Sequence, residues 1–380
     1  MADGVQIYGS MSYGAAMRSG SDGLGLPGNA TQSASLGSTA QNGGVTGNHK
    51  SFTGEMALGN YIGFKGSEDL GNGTSLGFVA EFGFGSETGT NAVTRLANLS
   101  LSGDWGTLIG GRVGGARYSF TNMYDPFGGK GVANAGSIFG GHGVSQADYA
   151  DNAIVYVTPE LAPGLKLLGA YTFSLSNADG GGERGLGSDT CGSGSNARTC
   201  GNVQLYAIAA LYNQGPLSIT LDYENAKVPG LAAGGINLNA EQIWVVGGSY
   251  DFGVIKPMAY YEHIADDLRA LPSDNYQGYI LGATAPVSDQ MLVKGSYVHH
   301  MHDGIGSCNK YGVGVDYNLS KRTRFFADVT KIENSGVAQC RVSYSSRSPS
   351  QNQAQAFINN STGSDLYGTS AIGVGIQHTF

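Results

Sequence analysis

Charge is scarce in this chain. Asp, Glu, Lys and Arg together make up 13% of its 380 residues, against roughly 25% in an ordinary soluble protein. Long hydrophobic runs are missing as well. None reaches the roughly 18 residues that mark a membrane helix. Amphipathic helical periodicity is nearly absent, and prolines number only 10. No linker or shift of composition divides the sequence, so one domain over 1–380 is expected despite a length that would suit two or three. A formal net charge of −8 argues against nucleic acid as a partner. Four cysteines are few for so long a chain, but their even number suits an oxidising compartment. "MADGVQIYG" runs almost at once into a strand pattern with no secretory leader. An exported protein with this start is expected to be the mature form after signal-peptide removal.

Glycine and aromatics are abundant: 63 Gly, 21 Tyr and 14 Phe. They fall into alternating runs, clearest in the terminal "IGVGIQHTF". There Ile372, Val374, Ile376, His378 and Phe380 share one face, and Gly373, Gly375, Gln377 and Thr379 share the other. Period-2 alternation with one greasy face is a strand signature. Sixteen such runs can be marked along the chain. The connections after even-numbered runs are short ("EDLGNG", "DWG", "LAPG", "QGP", "DFG", "VSDQ", "LSKR"), and those after odd-numbered runs are mostly long and rich in Gly, Ser and Asn. An even strand count with short turns at one end and long loops at the other predicts an all-β fold, a 16-stranded antiparallel transmembrane barrel. Closure satisfies every backbone group in lipid and leaves no edge. Lipid then covers the greasy face. Alternation turns Tyr311, Val313, Val315 and Tyr317 outward and Lys310, Gly312, Gly314 and Asp316 inward. It likewise turns Met56, Leu58, Ile62, Phe64, Leu76, Phe78, Ala80, Phe82 and Phe84 outward, and Tyr61, Lys65 and Glu81 inward. Asn60, on an outward position, calls for cover from a subunit contact.

The stretches "GFKGSEDLGNGTSLGFVAEFGFG", "LSLSGDWGTLIGGR", "YADNAIVYVTPELAPGLKLLGAYTFS", "YILGATAPV", "VDYNLSKRTRFFADV" and "VGIQHTF" resemble the trimeric general porins of beta-proteobacterial outer membranes. The resemblance implies a homotrimeric diffusion channel for small hydrophilic solutes and ions, not an enzyme and without a cofactor. Outer-membrane lipid and lipopolysaccharide are its surroundings. It also implies that Phe380 belongs to a signal read by the outer-membrane assembly machinery. The third outer loop, about 117–149, would fold inward and narrow the pore, with its own glycines letting the backbone follow the wall. Charges across such a narrowing set ion preference. In the family's arginine pattern Arg95 and Arg112 are kept, while two arginine positions are Tyr61 and Tyr149. A thinned basic wall of Lys65, Arg95 and Arg112, with Arg117 and Lys130, would face Asp125 and Asp148 on the loop. Glu81 points into the lumen. Alternation puts Arg95 on the face of Leu99 and Leu101, so it needs a bulge to reach the lumen. Tyr61, Tyr124 and Tyr149 support an alternative, a channel preferring small aromatic or carboxylate solutes, because ring faces stack on planar solutes.

Other motifs weigh less. "GLGLPG" at 23–28 fits a dinucleotide fingerprint but lacks the strand–helix context and contains Pro27; a loop is the better reading. His299, His300 and His302 could bind a metal. Alternation separates the first two, and solvated loop histidines are expected instead. No G-x-S-x-G elbow or triad marks a hydrolase. Cys191 with Cys200, and Cys308 with Cys340, are placed to staple outer loops; unpaired thiols are the alternative.

Overall fold

The computed structural model describes residues 3–18, 49–53, 60–85, 90–139, 149–173, 190–191, 198–199, 204–227, 241–266, 275–303, 306–336, 340, 342 and 369–380. Sixteen strands form the wall. They are β1 Asp3–Arg18, β2 in two pieces (His49–Thr53 and Asn60–Gly71), β3 Thr74–Gly85, β4 Thr90–Gly103, β5 Gly106–Gly114, β6 Tyr149–Val157, β7 Leu165–Thr172 and β8 Gln204–Gln214. The second half comprises β9 Leu217–Lys227, β10 Glu241–Tyr250, β11 Lys256–Asp266, β12 Asn275–Pro286, β13 Met291–His302, β14 Gly306–Asn318, β15 Thr323–Gly336 and β16 Ser370–Thr379. Each pairs antiparallel with the next, and β16 returns to β1 in register from Ser10↔Thr379 to Arg18↔Ala371. The barrel is closed. Phe380 completes the seam: its N–H donates to the Gly9 carbonyl at 3.1 Å, and Gly9 N–H donates to its carbonyl at 3.0 Å. A side chain at Gly9 would overlap the Phe380 ring.

Facing follows the alternation. Ile372, Val374, Ile376 and Phe380 are exposed on the outside, as are Tyr311, Val313 and Tyr317. Lys310, Gly312, Gly314 and Asp316 are buried on the inside. Met56 and Leu58 lie outside the described residues. Asn60 needs no subunit to cover it. The ladder of β1 and β2 is interrupted between Ser10↔Tyr61 and Gly14↔Thr53, and the Asn60 side chain accepts the Ser12 N–H there at 2.6 Å. The histidines also depart from expectation. They lie on β13 rather than in a solvated loop, and His300 and His302 point inward, 0% and 3% exposed. His299 points the other way and stacks on Tyr279. Among the described residues no group of three or more His, Cys, Asp or Glu is placed to hold a metal ion.

The described part of the connection between β5 and β6, residues 115–139, packs against the inner face of the wall. Helix α1, Ala116–Met123, buries Arg117, Phe120 and Thr121, the i, i+3, i+4 face of a helix. A second short turn, α2 Gly136–Phe139, follows. Between them Tyr124, Val132, Ala133 and Ala135 are completely buried. The space they occupy comes from the wall. A side chain at Gly247 of β10 would overlap the Tyr124 ring. One at Gly282 of β12 would meet Pro126, and one at Gly278 would meet Phe139. Gly314 and Gly312 of β14 seat Phe127 and Ala133. These inward glycines, together with the loop's own Gly131, where a side chain would strike Asp328 of β15, let loop and wall approach. The "GLGLPG" stretch and residue Asp148 lie outside the described residues.

Cys308 and Cys340 form a disulfide with Cα atoms 6.1 Å apart, spanning 32 residues. It fastens the segment after β15 to the inner face of β14, where Asn334 also bonds the backbone N–H and carbonyl of Cys340. Closing a loop of that size stabilises by roughly 3–4 kcal/mol in the chain-entropy account. Cys308→Ser with Cys340→Ser should therefore lower the temperature at which the folded band disappears on an unboiled gel. An unchanged transition would show that the segment is held by its other contacts. The proposed partner of Cys191, Cys200, lies outside the described residues.

Candidate pore constriction

Two irregularities on neighbouring strands aim arginines into the lumen. On β4, Leu96 pairs with Glu81 and Thr94 with Phe82, leaving Arg95 as the extra residue of a bulge. This is the bulge that its place beside Leu99 and Leu101 demands. On β5 the register shifts between Gly111 and Val113, bracketing Arg112, with Asn152 opposite at φ 50°. Gly111 sits at φ 127°, where a side chain would strike the Ala97 carbonyl. Only glycine suits that position.

Neither arginine is left bare. Arg95 forms an ion pair with Glu81, and its guanidinium lies 4.7 Å over the Tyr61 ring and 5.7 Å from that of Tyr149. Arg112 forms an ion pair with Asp151, lies 4.8 Å over Tyr149 and donates from Nε to the Thr94 carbonyl at 3.1 Å. Tyr8 donates to Glu81 at 3.1 Å, and Lys65 lies 5.1 Å over the Tyr8 ring. Tyr61, Lys65, Glu81, Arg95, Arg112 and Tyr149 thus form one patch, joined by Tyr8 and Asp151. Sequence reasoning missed those two. Tyr8 was visible as an inward position of β1; Asp151 was hidden by the bulge at Asn152.

The loop residues are used differently from the expectation of an acidic loop facing this wall. Arg117 is 1% exposed and grips the fully buried Glu262 with two bonds, 2.7 and 2.6 Å, while its backbone N–H donates to Glu224 at 3.1 Å. Burial is the largest single influence on Arg117 and opposes its charge, but Glu262, Tyr260 and Glu224 together outweigh it and hold the pKa above the ordinary guanidinium value. Asp125 is buried and turned into its own loop. It accepts the N–H groups of Phe127, Gly129 and Ala135 at 2.9–3.0 Å, and burial pushes its pKa up against those bonds. It organises a turn instead of facing ions. Tyr124 is completely buried, with its hydroxyl bonded to Ser218 and Thr220, so its ring is not available to a solute. Arg95 covers one face of the half-buried Tyr61, and Tyr149 is buried beside Arg95 and Arg112. Of the three tyrosines, only Tyr61 keeps ring surface for a solute to stack on. Lys130 is half-buried at the end of the same turn.

A closed barrel whose inner space is partly filled by one loop and faced by a charged patch has the geometry of an aqueous channel. The family described as Gram-negative porin matches residues 1–337. An outer membrane porin of Bordetella pertussis is 28% identical over 356 residues, 85% of this chain and 82% of that protein. Among solved structures, an anion-selective porin from Comamonas acidovorans shares the fold with a TM-score of 0.70 at 22% identity, over 99% of both chains. OmpT of Vibrio cholerae, in a trimer form, shares it with a TM-score of 0.63 at 12% identity, over 99% of both chains. This chain belongs to the Gram-negative porin family and is a diffusion channel of the bacterial outer membrane.

Proposed function

We propose that the passage between the loop-covered half of the barrel and the Arg95–Arg112 patch is the constriction, and that it sorts solutes by size with only weak preference for the sign of charge. The loop from about 117 to 149 narrows a single barrel domain, 1–380. The observation that carries this reading is the pairing of each wall arginine with a carboxylate, Arg95 with Glu81 and Arg112 with Asp151. An ion sees a compensated pair where an arginine ladder would present net positive charge. At physiological salt the screening length is about 8 Å, so uncompensated charge elsewhere in the lumen counts less.

Zero-current potentials across a KCl gradient test this. The wild type should read close to neutral. Glu81→Gln with Asp151→Asn leaves both arginines uncompensated. At about 8 Å, one screening length, each added charge is worth roughly 0.2 kcal/mol to an ion of either sign, favourable to the anion and unfavourable to the cation, so the double variant should shift the anion-to-cation permeability ratio by about fourfold. Tyr61→Arg with Tyr149→Arg should shift it in the same direction. A strongly anion-selective wild type, or no shift in either double variant, places the constriction elsewhere. The trimer form of OmpT supports a homotrimer for this chain too, seated in outer-membrane lipid and lipopolysaccharide.

A further inference from the structure

Apolar side chains on the inner wall of β10, β12 and β13 are covered. Val245, Ile280 and Val298 are 2% exposed or less. The stretch on β5 to β8 is different. There the inward positions are aliphatic and stand side by side: Ile109 pairs with Val155, Val155 with Ala170, and Val157 with Leu168. Leu211 of β8 lies diagonally from Leu168. Ile109, Val157, Leu168, Ala170 and Leu211 are all only half-buried. The residues alternating with them, Leu108, Ile154, Leu167 and Ile208, face lipid at 38–61% exposure, so the half-buried ones open onto the lumen. Hydroxyls bound the stretch on both sides. Ser102 and Thr107 share a hydrogen bond of 3.0 Å on β4 and β5, and Thr220 of β9 stands opposite Leu211.

An aliphatic stretch open to a watery passage favours a solute with an apolar body. The same two strands say what head that solute carries. Arg112 is three residues from Ile109 and Asp151 four from Val155, about 10–13 Å along a strand. The two form an ion pair, and their side chains keep 15% and 17% exposure. An uncharged apolar solute crosses lipid without a channel. An ion of either sign gains little from a compensated pair. A zwitterion brings one charge for each member of the pair. We infer that this wall favours amino acids with apolar side chains: the Arg112–Asp151 pair takes the carboxylate and the ammonium, and the stretch from Ile109 to Leu211 takes the side chain. The inference rests on the reading of the Arg95–Arg112 patch as one side of the constriction. A weak site of this kind speeds passage, because it draws the solute in and still lets it leave.

Swelling of proteoliposomes in isosmotic leucine or asparagine reads this directly. The two are close in mass and carry the same zwitterionic head, so a purely sieving pore passes them alike. Leucine should enter about fivefold faster, the effect of covering about 40 Å² of apolar surface at roughly 25 cal/mol per Å². Val157→Thr with Leu168→Asn should bring the leucine rate down to that of asparagine. Ile109→Thr, on another strand, should narrow the gap by itself. Arg112→Gln with Asp151→Asn removes both head partners without changing net charge and should slow both amino acids in parallel. Leucine no faster than asparagine in the wild type, a preference that survives both aliphatic variants, or rates untouched by loss of the pair overturns the inference. The KCl potentials above are read without any amino acid. A strongly anion-selective channel that still prefers leucine would therefore sink the compensated constriction alone.

Discussion

Replacing Arg117 with methionine should raise single-channel conductance and make it noisy. The substitution strips the guanidinium from Glu262, which is 0% exposed, and takes positive charge from beside Glu224 and Asp222, both buried. Removing one partner of a buried ion pair costs about 3–5 kcal/mol, which would raise the population of a detached loop a hundredfold or more. Glu262→Gln should do the same to a smaller degree, since a neutral amide can still accept from Tyr260, now 2.8 Å away. Arg117→Met combined with Glu262→Met removes both charges and refills the volume, so conductance should return towards the wild type. If Arg117→Met conducts like the wild type, the glycine seats hold the loop without its anchor.

Deleting Phe380 should cut the amount of folded barrel in the outer membrane severalfold while refolding in detergent is much less affected. The deletion removes two ladder hydrogen bonds to Gly9, worth about 1–3 kcal/mol together. That is a modest loss for a seam that β1 and β16 share over nine residue pairs from Ser10 to Arg18. A defect seen only in cells points to recognition of the terminal aromatic residue by the assembly machinery. Gly9→Val separates the two effects, because it displaces the ring from its place while leaving Phe380 in the chain. Equal yields in cells for the deletion and the full chain would remove the terminal residue from assembly.

The wall was legible because lipid and water impose opposite demands on alternate residues. Ile372, Val374 and Ile376 could face only one solvent, and their neighbours only the other. The Arg95 bulge was legible for the same reason, since a charged residue in phase with Leu99 and Leu101 is a contradiction that only an extra residue resolves. The bulge at Arg112 carried no such conflict. Its neighbours Gly110 and Gly111 fit either face. The seats at Gly247, Gly278, Gly282, Gly312 and Gly314 were invisible for a different reason. Small residues are ordinary on a lumenal face, and only the loop on the far side of the same space gives these a purpose. Asp125 and Arg117 were misjudged likewise. Their charges are spent on backbone N–H groups and on Glu262, contacts separated by up to 145 residues in sequence, which no local pattern reports.

The glycine seats make the inward loop a poor candidate for transplantation. Tyr124, Pro126, Phe127, Ala133 and Phe139 fit hollows cut into β10, β12 and β14, and its anchor is a glutamate on β11. A homologous loop grafted into this barrel would arrive with knobs cut for other hollows, and this loop moved elsewhere would meet side chains where it needs bare backbone. Pore engineering in this chain should therefore treat loop and seats as one inheritable unit of at least four strands, exchanged together or left alone.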